Sequence, residues 1–455
     1  MSRGKFITLV VAISILVFGG LFGVYWYVAR PNTTGGSTAQ TQKSLFDFLS
    51  FGKNSPSQNS GTPFVSSTTD ATSGFGEQNL AIPQLRQLST SPVAGIDFIQ
   101  RIVTSTSTAS STQKTKVVKN LETFIRFVDR ATGNIFEAAT STLQITRVTN
   151  TTKPKIYEAY VANATGDAYI YRSLINDTDV IKNEFVSVQP ATSTVSTSTP
   201  GQNLFNSTES ILTSSPLPFE ITALTLSPTR DQMFYVLNTS PRGIISKPDG
   251  TKQSVVFDSP LKEWLVDWVN SKVIAMTTKP SGTVPGYLYF LNPQTKTFSK
   301  ILGGIKGLTS LVSPNGKKVL YAENTDGGVI NMSLYQPDTN ILQKLFIHTL
   351  PEKCAWSQDN NILYCAIPNN PPSAIYPDAW YQGYVAFSDT IWSINTTTGE
   401  SKVIVRPQDV VTGASLDVTY PSLDTAEDAL VFVDKTTLTP WVLNLPTNTS
   451  TPAVR

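Results

Sequence analysis

One pattern recurs along most of this chain and limits what it can fold into. A short turn rich in Ser, Pro, Asn, Asp and Gly leads into a strongly apolar strand. The instances are SPTRDQMFYVLN from Ser227, SPNGKKVLYAEN from Ser313 and SQDNNILYCAIP from Ser357. FIRFVDR, AYIYRS, VIAMTT and ALVFVDK take the same place without the Ser-Pro. These strands begin at Phe124, Ala168, Met233, Val273, Val319, Leu363 and Ala429, with separations of 44, 65, 40, 46, 44 and 66 residues. The two long intervals contain insertions, ATSTVSTSTPGQ at 191–202 and NNPPSAIYPDAWYQGYVAF at 369–387. No long stretch keeps the 3.6-residue apolar period of a helix, whereas short β-branched and aromatic runs alternate with turn residues throughout. A period of about 40–45 residues with four short strands per unit predicts an all-β propeller over 84–446.

The strands within a unit can be read directly. One unit contains KEWLVDWV, SKVIAMT, GYLYFLN and TFSKIL, and the next contains GLTSLVS, KKVLYAE, GVINMSLY and ILQKLFI. The last unit supplies only three, ASLDVTYPS, ALVFVDK and PWVLNL. The N-terminal edge has a spare strand, LRQLS at 85–89, directly before VAGIDFI. Pairing the spare strand with the incomplete unit closes the ring and removes two strand edges that would otherwise invite aggregation. The count is seven blades, with six or eight as alternatives, because the second unit is poorly defined around 179–215.

Units such as SPNGKKVLYAENTDGG resemble the WD-like repeats of TolB-type propellers, in which a Ser-Pro-Asp-Gly-Lys turn precedes an apolar strand. Ser313, Pro314, Asn315, Gly316 and Lys317 fit best, with Asn315 in place of Asp; Ser227-Pro228 and Ser357 fit in part. The arrangement also looks like membrane-anchored propellers of bacteria. The resemblance implies a fold and an extracytoplasmic binding role, and carries over no catalytic residue.

Residues 6–29, FITLVVAISILVFGGLFGVYWYVA, are free of charge. About 20 apolar residues in a helix cross the hydrocarbon core of a bilayer. Arg3 and Lys5 precede this stretch, Arg30 follows it, and Tyr25, Trp26 and Tyr27 stand at its far end, where aromatic rings favour the interface. The stretch is longer than a signal-peptide core and ends in bulky residues, so it reads as an uncleaved signal anchor. The expected order is a cytoplasmic N-terminus at 1–5, the anchor at 6–29, a flexible Ser/Thr/Gly/Asn-rich linker at 31–80, an extracytoplasmic propeller, and a disordered tail at 447–455. Linker composition of this kind cannot offset the entropy of ordering. Within it, Leu45, Phe46, Phe48, Leu49 and Phe51 form an apolar patch that suits either an interfacial helix or a transient cluster.

The balance of 35 basic against 33 acidic residues leaves a formal charge of +2, too small a basic field to hold nucleic acid. One histidine, His348, and two cysteines, Cys354 and Cys365, exclude multi-His zinc sites and Cys-rich clusters. No cofactor or metal is expected. A two-residue turn at Asp359–Asn360 sets Cys354 opposite Cys365, at a distance compatible with a disulfide or with two buried thiols. Tyr376, Trp380, Tyr381 and Tyr384 of the long insertion can bind a sugar or peptide, or pack down as a cap. Inner strands carry Asp97, Glu158, Glu220, Glu263, Glu352 and Asp417, which either gather at the channel mouth or make ordinary inter-blade hydrogen bonds. The expected function is a non-enzymatic scaffold that binds an envelope protein or a surface polysaccharide. The alternative is a glycan hydrolase or lyase that uses the inner carboxylates.

Overall fold

The computed structural model describes residues 83–446, except 109–114, 141, 143, 176–179, 191–209 and 326; at 105–108 and 115–118 it describes the backbone alone. These residues belong to one compact unit, 79–455. The expected anchor at 6–29, the linker at 31–80 with its apolar patch, the insertion at 191–202 and the tail lie outside the described residues. Among the described residues, no helix is long and apolar enough to cross a membrane.

Seven four-stranded antiparallel sheets follow one another along the chain, each a simple meander. They form blade 1 (93–147), blade 2 (156–216), blade 3 (221–258), blade 4 (264–306), blade 5 (309–345), blade 6 (354–405) and blade 7 (418–444). Blade 7 draws its fourth strand, Leu85–Gln87, from the N-terminal edge, with Leu85 opposite Leu443 and Gln87 opposite Trp441. The spare strand therefore completes the incomplete unit, and the blade count is seven.

The core is divided among the blade interfaces. Seven apolar clusters each join two neighbouring blades. The cluster between blades 7 and 1 packs Val431 and Val433 against Phe98, Ile125 and Phe127, so the ring closes by packing as well as by strand pairing. Each sheet is buried on both faces, so the second strands read as continuous apolar runs, as in Ala429–Asp434.

The recurring turn has a physical role. Ser313 is fully buried, and its hydroxyl donates to Asn315 Oδ1 (2.8 Å) and accepts from the Lys318 amide (2.9 Å). It thereby pins the hairpin that joins inner and second strands. Ser227 and Ser357 make the same bonds, to Asp231 and Gln232 and to Asp359 and Ile362. Asp424 replaces serine in blade 7 and accepts from the amides of Asp428 and Ala429. The fourth turn residue is left-handed in all four cases, Arg230, Gly316, Asn360 and Glu427.

Strand alternation fixes two faces. The turns just described lie on the lower face. Connections between blades, and between second and third strands, lie on the upper face. In blade 1 the inner strand (Val93–Thr108) and second strand (Thr115–Asp129) run far past their sheet as a two-stranded arm on the lower face.

Candidate functional site

The 369–387 insertion crosses the upper face as a strap built around a short helical turn, Asp378–Tyr381. It touches four blades. The Gly282 amide of blade 4 donates to Asp378 Oδ2 (2.5 Å), and Ser373 Oγ donates to Gly327 O of blade 5 (2.8 Å). The Tyr381 hydroxyl donates to Glu352, beside blade 6, and Trp380 Nε1 donates to Asp417 Oδ2, beside blade 7 (2.9 Å). Glycine is required where the strap lies closest: a Cβ on Gly282 would stand 2.5 Å from the Tyr376 carbonyl oxygen.

A buried ion cluster anchors the strap. Lys353 Nζ lies 2.7 Å from Asp389 Oδ2 and 2.6 Å from Asp417 Oδ1, and all three side chains are fully buried. Asp417 also accepts from the Phe387 amide (3.0 Å), and Asp389 from the Val418 amide (2.7 Å). Burial pushes the Asp389 carboxyl up to about 6 against the pull of Lys353, with Asp417 adding to the rise. Two carboxylates facing one ammonium carry a surplus negative charge, which a proton on Asp389 removes.

The strap divides the four aromatic candidates. Tyr376 and Trp380 are buried, and Trp380 stacks on Phe387. Tyr381 is partly exposed, and Tyr384 is 82% exposed. The first two cap the blade; Tyr381 presents its ring beside Glu352, and Tyr384 faces water from the strap.

The six acidic candidates also separate. Asp417 belongs to the buried anchor. Asp97 pairs with Arg230 Nη2 (2.7 Å), a bridge between blade 1 and the lower turn of blade 3. Glu220 is bound by Thr239, and Glu263 pairs with Lys279 (2.9 Å), each at the edge of its own blade. Glu158 and Glu352 both act electrostatically on Tyr420, which the sequence reading did not select. Tyr420 is 73% exposed and left-handed (φ 52°), at a bulge between Thr419 and Ser422 in the inner strand of blade 7. Enclosure by protein pushes its hydroxyl up to about 12, with Glu158 and Glu352 both adding to the rise. The available signal was Pro421, since proline next to an inner-strand aromatic disrupts pairing and favours a bulge.

Each carboxylate is held differently. Glu158 Oε2 accepts from Arg172 Nη1 (2.6 Å) and the Tyr160 hydroxyl (3.1 Å). Glu352 uses one oxygen for Tyr381, and its Oε2 is buried. Burial raises the Glu352 carboxyl, so it holds a proton to higher pH than an ordinary glutamate. Deeper in the channel Asp267, also unselected, is pushed up to about 6 by the surrounding protein. A cleft of about 450 Å³ opens along the strap's outer side, lined by Gly282, Thr283, Lys306, Asn324, Gly328 and Ser373. Among the described residues, no group of three or more His, Cys, Asp or Glu side chains is placed to hold a metal.

Cys354 and Cys365 are directly opposed in the first two strands of blade 6 and joined as a disulfide. His348 lies on the surface just beyond the outer strand of blade 5, with Nδ1 2.7 Å from the Ile330 carbonyl oxygen.

The fold and repeat place the chain in the class of seven-bladed β-propellers, with lower turns like those of TolB-type repeats. No family model matches the chain, and no curated protein matches it. Solved structures similar to it include an oligogalacturonate lyase in complex with manganese, 11% identical, with a TM-score of 0.44 over 78% of this chain and 99% of that one. TolB from Acinetobacter baumannii is 10% identical, with a TM-score of 0.38 over 76% of this chain and 79% of that one. A putative TolB from Agrobacterium tumefaciens is 15% identical, with a TM-score of 0.33 over 49% and 72%. The propeller assignment stands on the chain's own seven closed sheets.

Proposed function

We propose that this chain is a membrane-tethered, extracytoplasmic recognition propeller whose upper face binds a segment of an envelope protein or a surface polysaccharide. The uncharged stretch at 6–29 supports the tether, and the near-neutral charge speaks against nucleic acid as the partner. The observation that carries the reading is the mouth itself. Tyr381 and Tyr420 offer ring surface beside Glu158 and Glu352, with Arg172 paired to Glu158, and Tyr384 is exposed on the adjoining strap. Rings supply contact area at low entropy cost, while the charged groups set hydrogen-bond direction. A photoreactive residue at Tyr384 should trap the same partner repeatedly in intact cells, and Tyr420→Ala should abolish the adduct. Random adducts, or trapping indifferent to Tyr420, count against the reading.

One observation favours an enzymatic reading as the alternative. Glu352 keeps its proton to raised pH, and Glu158 approaches Tyr420 as well, the placement of an acid and a second carboxylate around a glycan. Incubation with isolated cell-surface polysaccharide separates the two: an enzyme releases fragments and loses that activity in Glu352→Gln, whereas a scaffold binds and leaves the polymer intact.

A further inference from the structure

The cluster that anchors the strap holds the partners of a reaction as well as of an ion pair. Lys353 Nζ lies 2.6 Å from Asp417 Oδ1, an atom bonded directly to the carboxyl carbon, and 2.7 Å from Asp389 Oδ2. It also donates to the Val418 carbonyl oxygen (2.8 Å). None of the three side chains is exposed to water. The rings of Trp380 and Phe387, stacked on each other, stand 5.2 and 5.1 Å from Nζ. A surface pair differs in one respect. Lys279 and Glu263 meet at 2.9 Å, but their side chains are 61% and 63% exposed, and water competes for both.

The two carboxylates are held in different ways. Asp417 Oδ2 accepts from Trp380 Nε1 (2.9 Å) and from the Phe387 amide (3.0 Å). Two donors on one oxygen draw electrons from the carboxyl carbon and are placed to receive an oxyanion. Asp389 Oδ2 accepts from the Val418 amide and faces Lys353, while its Oδ1 is buried and accepts from no described residue. Asp389 is thus the less well held as an anion, and burial pushes its carboxyl up to about 6.

We propose that Lys353 and Asp417 condense into an intramolecular isopeptide bond, with Asp389 carrying protons between them. The ion cluster is the state from which the bond forms. Lys353 gives one proton to Asp417 Oδ1, and in a site without water the neutral pair escapes the cost of burying two charges. The freed amine attacks Asp417 Cγ, and the carbonyl electron pair moves onto Oδ2, towards the Trp380 and Phe387 donors. Protonated Asp389 gives its proton to Oδ1 and takes one from the attacking nitrogen, and Oδ1 departs as water. One ammonium and one carboxylate become one amide and one water, with no co-reactant. Holding the reacting groups in contact is worth an effective concentration of roughly 10⁵–10⁸ M, which offsets the unfavourable balance of this condensation in water. The bond ties the approach to blade 6 to the approach to blade 7, 64 residues further on, beside the buried end of the strap.

The test is mass spectrometry of the full-length chain, purified folded and then reduced and denatured. Its mass should fall short of the sequence mass by one water, and proteolysis should yield a branched peptide joining Lys353 to Asp417. Lys353→Arg keeps a cation but cannot form the amide, so it should show the full mass. In newly synthesised chains followed over time, Asp389→Asn should slow the appearance of the branched peptide by at least about 100-fold. Trp380→Phe keeps a ring over the site but removes an oxyanion donor, and should slow it by about 100-fold. Folded native chains that keep their full mass overturn the proposal. So does a water deficit that persists in Lys353→Arg or comes without the branched peptide, as cyclisation at Asp249–Gly250 would produce. A branch at Asp389 overturns the choice of Asp417 as the acceptor of the amine, and an unchanged rate in Asp389→Asn overturns its role as proton carrier.

Discussion

Lys353→Met removes the cation that two carboxylates approach at 2.7 and 2.6 Å with no exposure to water. Methionine fills similar volume, so packing changes little and electrostatics dominates. Breaking a buried pair by removing one partner costs about 3–5 kcal/mol, because the remaining charge stays buried. The unfolding entropy of roughly 360 residues is about 0.75 kcal/mol per K, so the melting temperature should fall by about 4–7 °C. The loss should depend on pH in a definite direction. Asp389 titrates near 6 in the folded chain and near the ordinary 3.8 when unfolded. A raised carboxyl binds its proton more tightly in the folded state, so its contribution is full below about pH 4 and is lost as pH rises through about 6. Without the pull of Lys353 the Asp389 carboxyl rises further, so the variant should be weakest near about pH 8 and recover towards about pH 5. Scanning calorimetry across this range measures the effect, and proteolysis within 369–387 reports release of the strap. A melting temperature within about 1 °C of the native protein near pH 8, or a deficit that grows on acidification, would refute the reasoning.

Three further outcomes follow from the same structure. The Cys354–Cys365 bond spans a separation of 11 residues, and replacing both cysteines by alanine should lower stability by about 3 kcal/mol in urea titrations, with no further loss on adding reductant. Ser313→Ala leaves the Lys318 amide without its side-chain acceptor in a buried turn and should cost about 1–3 kcal/mol, whereas the exposed Lys317→Ala should cost less than about 0.5 kcal/mol. Leu85→Ala empties a site in the closing strand against Leu443, and should cost about 2–5 kcal/mol and promote self-association, detected by light scattering, as the edge of blade 7 opens.

The repeat was legible because each blade must solve one local problem, a tight hairpin leading into a strand buried on both faces. Ser313 shows why a short motif reports it: one hydroxyl satisfies the turn. Asp424 shows the limit, since a carboxylate accepts the same amide bonds and the motif disappears while the geometry persists. The blade 1 arm was not recognised. Its Ser/Thr alternation in RIVTSTSTASS reads as one more strand, and nothing local indicates where a strand leaves its sheet.

The opposition of Cys354 to Cys365 was determined by sequence alone, because it follows from period-2 alternation and turn length over a few neighbouring residues, and ring closure was legible from counting strands, a missing fourth strand in the last unit and a spare one before the first. Which carboxylates act on Tyr420 was decided only by the tertiary structure. Glu158, Glu352 and Tyr420 come from blade 2, the approach to blade 6 and blade 7, and only the curvature of the closed ring brings them together. The fate of the strap was decided in the same way: Trp380 turned inward because Asp417, 37 residues further on, offers its indole a buried acceptor, while Tyr384 found no such partner and faces water.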